Sequence, residues 1–229
     1  MLFFSKNKKS ESTPYPHHYK TKMNPKLQQY IESEIIPRYK NFDKAHREDH
    51  VRKVIEQSLA IVPHYDVNEE MVYTTAAYHD TGMAEGREHH HLASGRMVRE
   101  DTKLREWFSE EEIEIIAQAA EDHRASNKHD PRTIYGRIVA EADRLIDAET
   151  IVRRTVQFTF AHFPTLSFEE QAARSLAHLD EKYAEGGYLK LWIPESSNAA
   201  RLREFQAVIK DRAKIESLIK AEMIRQQGA

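Results

Sequence analysis

The sequence YHDTG at residues 78–82 decides the interpretation of this chain. It follows an apolar run over residues 71–77, and a helix through that run places His79 on the same face as the apolar side chains. Asp80 comes next, although an ionised aspartate is seldom buried unless it is paired or bound to a metal. Gly82 then predicts the end of the helix. The alternative is a surface helix end with a capping role, and the rest of the chain has to decide between the two.

The composition narrows the possible functions. The chain has 229 residues and no cysteine, so disulfides and thiolate metal sites are excluded and a metal site has to use histidine and carboxylate. Its 34 basic and 37 acidic residues nearly balance, which makes nucleic acid an unexpected partner. No run approaches the roughly 20 apolar residues of a membrane span, and the first residues lack a secretory apolar region. We therefore expect a cytoplasmic protein with no membrane partner.

Helical periodicity runs through most of the chain, and no stretch alternates as a strand does. Residues 1–23, which include His17 and His18, show no period and predict a flexible tail. The predicted helices cover residues 24–40 (capped by Asn24 and bent or ended by Pro37), 43–62 (capped by Asp43), a segment capped by Asn68, about 90–105, a segment opened by a Ser109–Glu112 capping box, a segment opened by Asp130-Pro131, 149–162, 168–185 (opened by a Ser167–Glu170 capping box) and about 197–226.

This pattern predicts an all-α fold with three parts. The tail, residues 1–23, precedes a single-domain helical bundle over residues 24–185. Residues 186–229 form a C-terminal extension, which starts with an extended apolar segment at 188–194 and ends in one long helix. That helix packs on the domain or on a second subunit, and a homodimer would follow from the second arrangement.

Ionisable residues lie on or beside the apolar stripes of four predicted helices. They are His50 in the second helix, His79 with Asp80, His123, and Asp143. Each residue alone favours a structural role, such as a hydrogen-bonded helix histidine or an aspartate paired with Arg144 or a neighbouring helix. Together they predict that the helices pack so that these groups converge. Nitrogen and carboxylate ligands without thiolate suit Mn, Fe, Co, Ni or Zn.

The order of these residues resembles the H…HD…D signature of the HD-domain metal-dependent phosphohydrolases. The local sequences are similar as well: DHVRKV at 49–54 resembles the first-ligand helix, and HDTG at 79–82 resembles the HD turn. DHRAS at 122–126 and IVAEADRL at 138–145 resemble the last third of one bacterial subgroup. The resemblance covers about residues 43–150 and implies the superfamily without implying a substrate.

The resemblance also implies roles for single residues. His50, His79, Asp80 and Asp143 would ligate a metal, with Asp80 also orienting the attacking water. His91 and His123 line up with extra histidines of some members, where they complete a second metal site or contact phosphate; His123 is also a candidate proton donor to the leaving oxygen. Arginine binds phosphate in a bidentate manner, so the candidate phosphate contacts are Arg87, Arg124 and Arg144, the last with a structural pairing as its alternative.

One departure affects the mechanism. Many catalytic members carry lysine four residues after the HD aspartate, where this chain has Ala84, and Met83 stands where some members have a polar residue. The general acid therefore has no assigned residue.

We expect an enzyme that hydrolyses a phosphate ester of a nucleotide or a similar small molecule through metal-activated water. One metal would suit a phosphomonoester, and two metals roughly 3.5–4 Å apart would suit a phosphodiester. Mg is a possible further cofactor. The alternatives are an HD-type di-iron oxygenase, a non-catalytic metal- or nucleotide-binding signalling module, and an α-helical scaffold with scattered histidines.

Overall fold

The computed structural model describes residues 23–42, 48–125, 127, 129–144 and 146–228. The predicted tail up to residue 22 and the predicted cap Asp43 lie outside these residues. The described part of the chain contains ten α-helices and no strand, which confirms the all-α prediction. None of its helices is long and apolar enough to cross a membrane.

The helices are numbered in chain order. They are α1 Pro25–Tyr30, α2 Glu48–Ile61, α3 Glu69–Tyr78, α4 His90–Glu100, α5 Glu110–Asp122, α6 Ile134–Asp143, α7 Ala148–His162, α8 Phe168–Tyr183, α9 Ser197–Lys210 and α10 Arg212–Gln227. After α1 the chain continues as a π-helical turn, Ile31–Ile35, and a 3₁₀ segment, Ile36–Asn41, that has Pro37 in its first turn. Further 3₁₀ turns are Val62–His64, Thr81–Glu85 and Thr102–Glu106.

The start of α6 differs from the sequence prediction. Thr133, and not Asp130, is the N-cap, and its side chain accepts a hydrogen bond from the backbone N–H of Gly136. Asp130 instead forms an ion pair with Lys190, whose Nζ lies 2.9 Å from Asp130 Oδ1, so the Asp130 carboxylate is used in a tertiary contact. The other predicted caps are confirmed: Asn24 and Asn68 cap α1 and α3, and the Ser109 and Ser167 capping boxes open α5 and α8.

The C-terminal segment forms two helices where the sequence predicted one. The chain leaves helical geometry at Asp211, whose carboxylate accepts a hydrogen bond from the N–H of Lys214 and so caps α10. The break lets both helices bury apolar side chains in one cluster with α7 and α8, including Phe205 and Ile209 from α9 and Ile215 from α10. A continuous helix would have carried the apolar residues of α10 away from this core.

The predicted fourth helix, about 90–105, is also shorter than expected. It ends at Glu100, because Asp101 leaves the helix and caps the following 3₁₀ turn through the N–H of Lys103. The Asp101 carboxylate also accepts hydrogen bonds from the hydroxyls of Tyr30 and Tyr78, both at 2.5 Å. It therefore ties α4 to α1 and α3.

Apolar side chains form a core on each side of α6. Helices α1 to α5 share one large cluster, and α7 to α10 share another. Buried polar bonds link the two through the end of α6: Asn198 accepts from the N–H of Ile146 at 2.9 Å and donates to the carbonyl of Glu141 at 2.6 Å. The C-terminal helices are thus held against the helix that carries Asp143.

Candidate metal centre

Helix α3 delivers the His-Asp pair into the interior. All its side chains from Met71 to Tyr78 are buried, and His79 and Asp80 follow at 0% and 2% exposure. Tyr39 holds the turn in place, because its hydroxyl donates to the carbonyl of Ala77 at 2.8 Å and accepts from the N–H of Asp80 at 3.2 Å. Two carboxylate oxygens thus enter a nearly closed space.

The four residues predicted as metal ligands come together in space. His50 from α2 places its Nε2 3.2 Å from Asp143 Oδ1 and 3.6 Å from Asp80 Oδ2. His79 Nε2 lies 3.2 Å from the same Asp80 oxygen and 3.8 Å from Asp143 Oδ1. One ligand atom from each of His50, His79 and Asp80 lies within 4.8 Å of the others, close enough for one cation to reach them together.

A second group lies on the other side of Asp80. Its other oxygen, Oδ1, is 3.3 Å from His90 Nε2 and 3.3 Å from His123 Nε2, and the two histidine nitrogens are 3.1 Å apart. The sequence predicted His91 with His123 for such a position, and the structure places His90 there instead. His91 turns away and has its Nδ1 3.5 Å from a guanidinium nitrogen of Arg124.

The same backbone hydrogen bond orients three of the histidines. His79, His90 and His123 each direct Nδ1 to the carbonyl oxygen three residues earlier, at 2.7, 2.8 and 2.6 Å. An Nδ1–H that donates to a carbonyl leaves Nε2 as the unprotonated nitrogen, as in most histidine metal ligands. When both imidazoles are neutral, the facing Nε2 atoms of His90 and His123 present two lone pairs to each other, and a cation between them would stabilise this arrangement. The donor set therefore fits divalent metal.

The charges favour ionised carboxylates in this buried space. Burial raises the pKa of Asp80. The electrostatic interaction with His79 and the hydrogen bonds to His123 and His50 lower this pKa by more than burial raises it, so it lies well below the usual range. Burial likewise opposes ionisation of Asp143, yet the hydrogen bond from His50 lowers its pKa to about 2. For His50 burial lowers the pKa, whereas its bonds to Asp143 and Asp80 raise it to about 10.

The three candidate arginines have different surroundings. Arg144 donates to the carbonyls of His123 at 3.0 Å and Ala140 at 2.6 Å and packs on the ring of Trp192. Arg124 donates to the carbonyl of Glu88. Arg87 is exposed, and its carbonyl orients the His90 ring. Their contact with phosphate remains a prediction.

No titratable side chain stands at Ala84, the position where many catalytic members of the HD superfamily carry a lysine. Ala84 is exposed and Met83 is half-buried in the 3₁₀ turn after Asp80. Neither side chain can donate or accept a proton, so these two positions supply no general acid.

Residues 47–147 match the family model of the HD domain. These residues are therefore similar to the HD domain, and the HD superfamily consists in general of metal-dependent phosphohydrolases. All six side chains of the two groups lie within the matched stretch. The searches of curated proteins and of solved structures found no match.

Proposed function

We propose that the protein binds two divalent transition metals that share Asp80, and that it hydrolyses a phosphate ester of a nucleotide or a similar small molecule. The two-sided contact of Asp80 carries this proposal: Oδ2 faces His50 and His79, whereas Oδ1 faces His90 and His123. One ion would be held by His50, His79, Asp80 and Asp143. The other would be held by Asp80, His90 and His123.

The chemistry of the donors limits the metals. Imidazole nitrogens with carboxylate oxygens suit Mn, Fe, Co, Ni and Zn, and the second group has only one carboxylate, which disfavours Mg there. When bound, such ions lower the pKa of a water molecule and polarise a phosphoryl oxygen. The chain itself has to hold the ligands, keep both carboxylates ionised and leave an opening for the ester.

The opening lies on the side of Asp143. Its side chain is 23% exposed and that of His50 12%, whereas the side chains of Asp80 and His123 are each 3% exposed. Asp143 is thus placed to orient the attacking water. In this proposal His123 is a ligand, because its Nε2 faces Asp80 and His90 and its Nδ1 is bonded to the carbonyl of Ala120. Its role as proton donor to the leaving oxygen remains a prediction.

The test is reconstitution followed by turnover. The protein is stripped of metal, loaded with Mn, Fe, Co, Ni, Zn or Mg, and assayed with p-nitrophenyl phosphate and bis(p-nitrophenyl) phosphate. We expect metal-dependent hydrolysis that is lost in Asp80→Asn and kept in His89→Gln, because the His89 side chain is 72% exposed. Hydrolysis that persists in metal-free Asp80→Asn protein would rule out this centre as the catalyst.

The same six ligands also favour a di-iron oxygenase as the second candidate. Two ions that share one carboxylate among histidines are compatible with oxygen chemistry as well as with hydrolysis. Iron retained through purification, together with oxygen consumption and no ester hydrolysis, would select the oxygenase. Hydrolysis supported by a redox-inert ion such as Zn would select the hydrolase.

A further inference from the structure

Two cavities meet beside the metal centre, where the C-terminal helices pack on α6. One of about 400 Å³ is bordered by residues 122, 124 and 125, which flank and follow His123, and by Tyr188 and Trp192 of the segment before α9. The other, of about 270 Å³, lies between α7 and α8 and has Arg154, Phe158 and His178 in its wall. Arg144 and Lys182 line both cavities, so these two cations form the boundary that the cavities share.

Neither cation forms a salt bridge within the described part of the chain. Among the described residues, no carboxylate oxygen lies within 4.0 Å of a nitrogen of Arg144 or Lys182, although the chain contains many such ion pairs elsewhere. Lys182 is half-buried and has its Nζ 5.1 Å from the centroid of the Tyr183 ring. Arg144 donates to two carbonyls through Nη1, whereas its buried Nε–H has no hydrogen-bond partner in the described structure.

The acids nearest to this pair are already engaged. Asp143 bonds His50, and the buried Glu141 accepts from the N–H of Trp192 at 2.7 Å and from the hydroxyl of Ser196. Burial lowers the pKa of Lys182, and the positive charge of Arg144 lowers it further. A half-buried lysine that lies near a second cation and has no salt bridge of its own costs stability, and such an arrangement is typical of a binding site for an anion.

Arg144, one member of the pair, lies next to the metal centre in the chain and in space. Arg144 directly follows Asp143, the most exposed member of the centre, and its guanidinium is bonded to the backbone of His123. An ester that enters on the Asp143 side therefore extends toward the shared boundary of the cavities. Arg124, which has no carboxylate partner among the described residues either, borders the larger cavity.

We propose that Arg144 and Lys182 form a subsite for a second phosphate of the substrate, so that the enzyme prefers a doubly phosphorylated or diphosphate-bearing compound to a simple monophosphate. This inference rests on the proposed function, because it assigns the second phosphate to the same substrate. It also gives residues outside the matched HD domain a role, since Lys182, Tyr188 and Trp192 belong to the C-terminal part of the chain.

Thermal unfolding of metal-free protein tests the subsite without any turnover. The probe is inorganic diphosphate in the presence of a chelator, compared with chloride at equal ionic strength. We expect diphosphate at about a hundredfold excess over its Kd to raise the Tm of the natural protein by about 5–10 °C. Lys182→Met should lose this rise and should be more stable than the natural protein without the anion, because it no longer buries an unpaired charge.

Lys220→Met is the matched control for the loss of one charge. Lys220 lies in α10 with 39% of its side chain exposed, is paired with Glu169 at 2.7 Å and borders neither cavity. It should keep the full diphosphate effect, and Lys182→Arg should keep most of it. An equal shift in Lys182→Met and the natural protein, or no shift in either at millimolar diphosphate, would overturn the subsite.

Turnover links the subsite to the substrate. In metal-loaded enzyme, Lys182→Met should lower kcat/KM for a nucleoside 3′,5′-bisphosphate about tenfold or more, as expected for a lost charged hydrogen bond, and leave a nucleoside monophosphate within about twofold. Diphosphate binding without hydrolysis of any ester would refute the proposed function and keep the anion site. Hydrolysis with no selective effect of Lys182→Met on either readout would keep the hydrolase and refute the subsite.

Discussion

Replacing Gly82 with alanine should disrupt one half of the metal centre and spare the other. An added Cβ would lie 2.0 Å from the carbonyl oxygen of His90 and 2.6 Å from the backbone nitrogen of Ser94. Both are backbone atoms of α4, so no side-chain rotation can relieve the contact. Ordinary contact starts at 3.4 Å, and α4 therefore has to move by roughly 1 Å or more.

The displacement acts on the second ligand group. His90 is the first residue of α4 and holds its Nε2 within 3.3 Å of both Asp80 and His123, whereas His50 comes from α2 and Asp143 from α6. Overpacking costs about 1–3 kcal/mol of unfolding free energy, which lowers the Tm by about 2–12 °C in a chain of this size. A shift of about 1 Å at a catalytic centre costs on the order of 100-fold in rate.

The assay measures the number of metal ions bound per chain after reconstitution and gel filtration. The Tm and the rate of ester hydrolysis are measured on the same samples. We expect Gly82→Ala to keep close to one ion per chain where the natural protein keeps two. Gly86→Ala is the control, because its φ of 105° strains an alanine but its Cβ would meet nothing within 4 Å. Should Gly82→Ala not fold, His90→Ala removes the same ligand without a clash. Full metal content and natural Tm in Gly82→Ala would refute the close packing on which this reasoning depends.

Three further perturbations probe the same centre. Asp80→Ala should remove retention of both ions, measured by elemental analysis, whereas His89→Ala should retain them; equal metal content in both would contradict a shared carboxylate. In metal-free protein the raised pKa of His50, about 10, means that its ion pairs stabilise the fold fully below pH 6.5 and are lost as the pH rises toward 10. Metal binding near neutral pH should consequently release about one proton, detected by calorimetry in buffers of different ionisation enthalpy, and His50→Gln should release none from this group. Tyr39→Phe leaves the Asp80 N–H and the Ala77 carbonyl unpaired, which should cost about 1–3 kcal/mol in denaturant unfolding and about 10–100-fold in metal affinity; an unchanged affinity would show that the turn holds its shape without the hydroxyl.

Helical periodicity was sufficient to bring the four main candidate ligands together. His50, His79 and Asp143 each lie on or beside an apolar stripe, and residues on such stripes meet when helices pack. The position of Asp80 could be predicted without helical periodicity, because Asp80 directly follows His79 in the chain. The sequence could not show that the two oxygens of Asp80 face different histidine pairs, since this depends on the rotation of α4 and α5 relative to α3.

The assignment within the histidine triplet had a usable signal. His90 lies three residues before Ala93 and four before Ser94, and both of these are buried in α4, as is Val98 one turn further on. The positions of Ala93 and Ser94 therefore favour His90, whereas Val98, seven residues after His91, does not separate the two histidines. The resemblance in linear order was ambiguous by one residue, and the phase of the helix only partly resolved it.

Local signals were misleading where a tertiary contact took over a capping residue. Asp130-Pro131 has the sequence of a helix start, but Lys190 from the C-terminal segment pairs with Asp130, and the helix begins later, at Ile134, with Thr133 as its N-cap. At Asp211 the opposite occurs, because a residue within a continuous helical pattern caps a new helix. In both cases contacts with a remote part of the chain determined where the helix begins, and a single sequence window contains no information about such contacts.

The exposure of the cluster sets the direction from which a substrate has to come. Side-chain exposure rises from 0% at His79 and 3% at Asp80 to 12% at His50 and 23% at Asp143. Under the proposed function, a phosphate ester would meet the centre through the end of α6, where Arg144 follows Asp143. Helices α7 and α8 lie beyond residues 47–147 and border, with Arg144 and Lys182, one of the two cavities there. We therefore expect selectivity among esters to depend on the C-terminal helices, whereas the candidate ligands lie within the stretch that matches the HD domain.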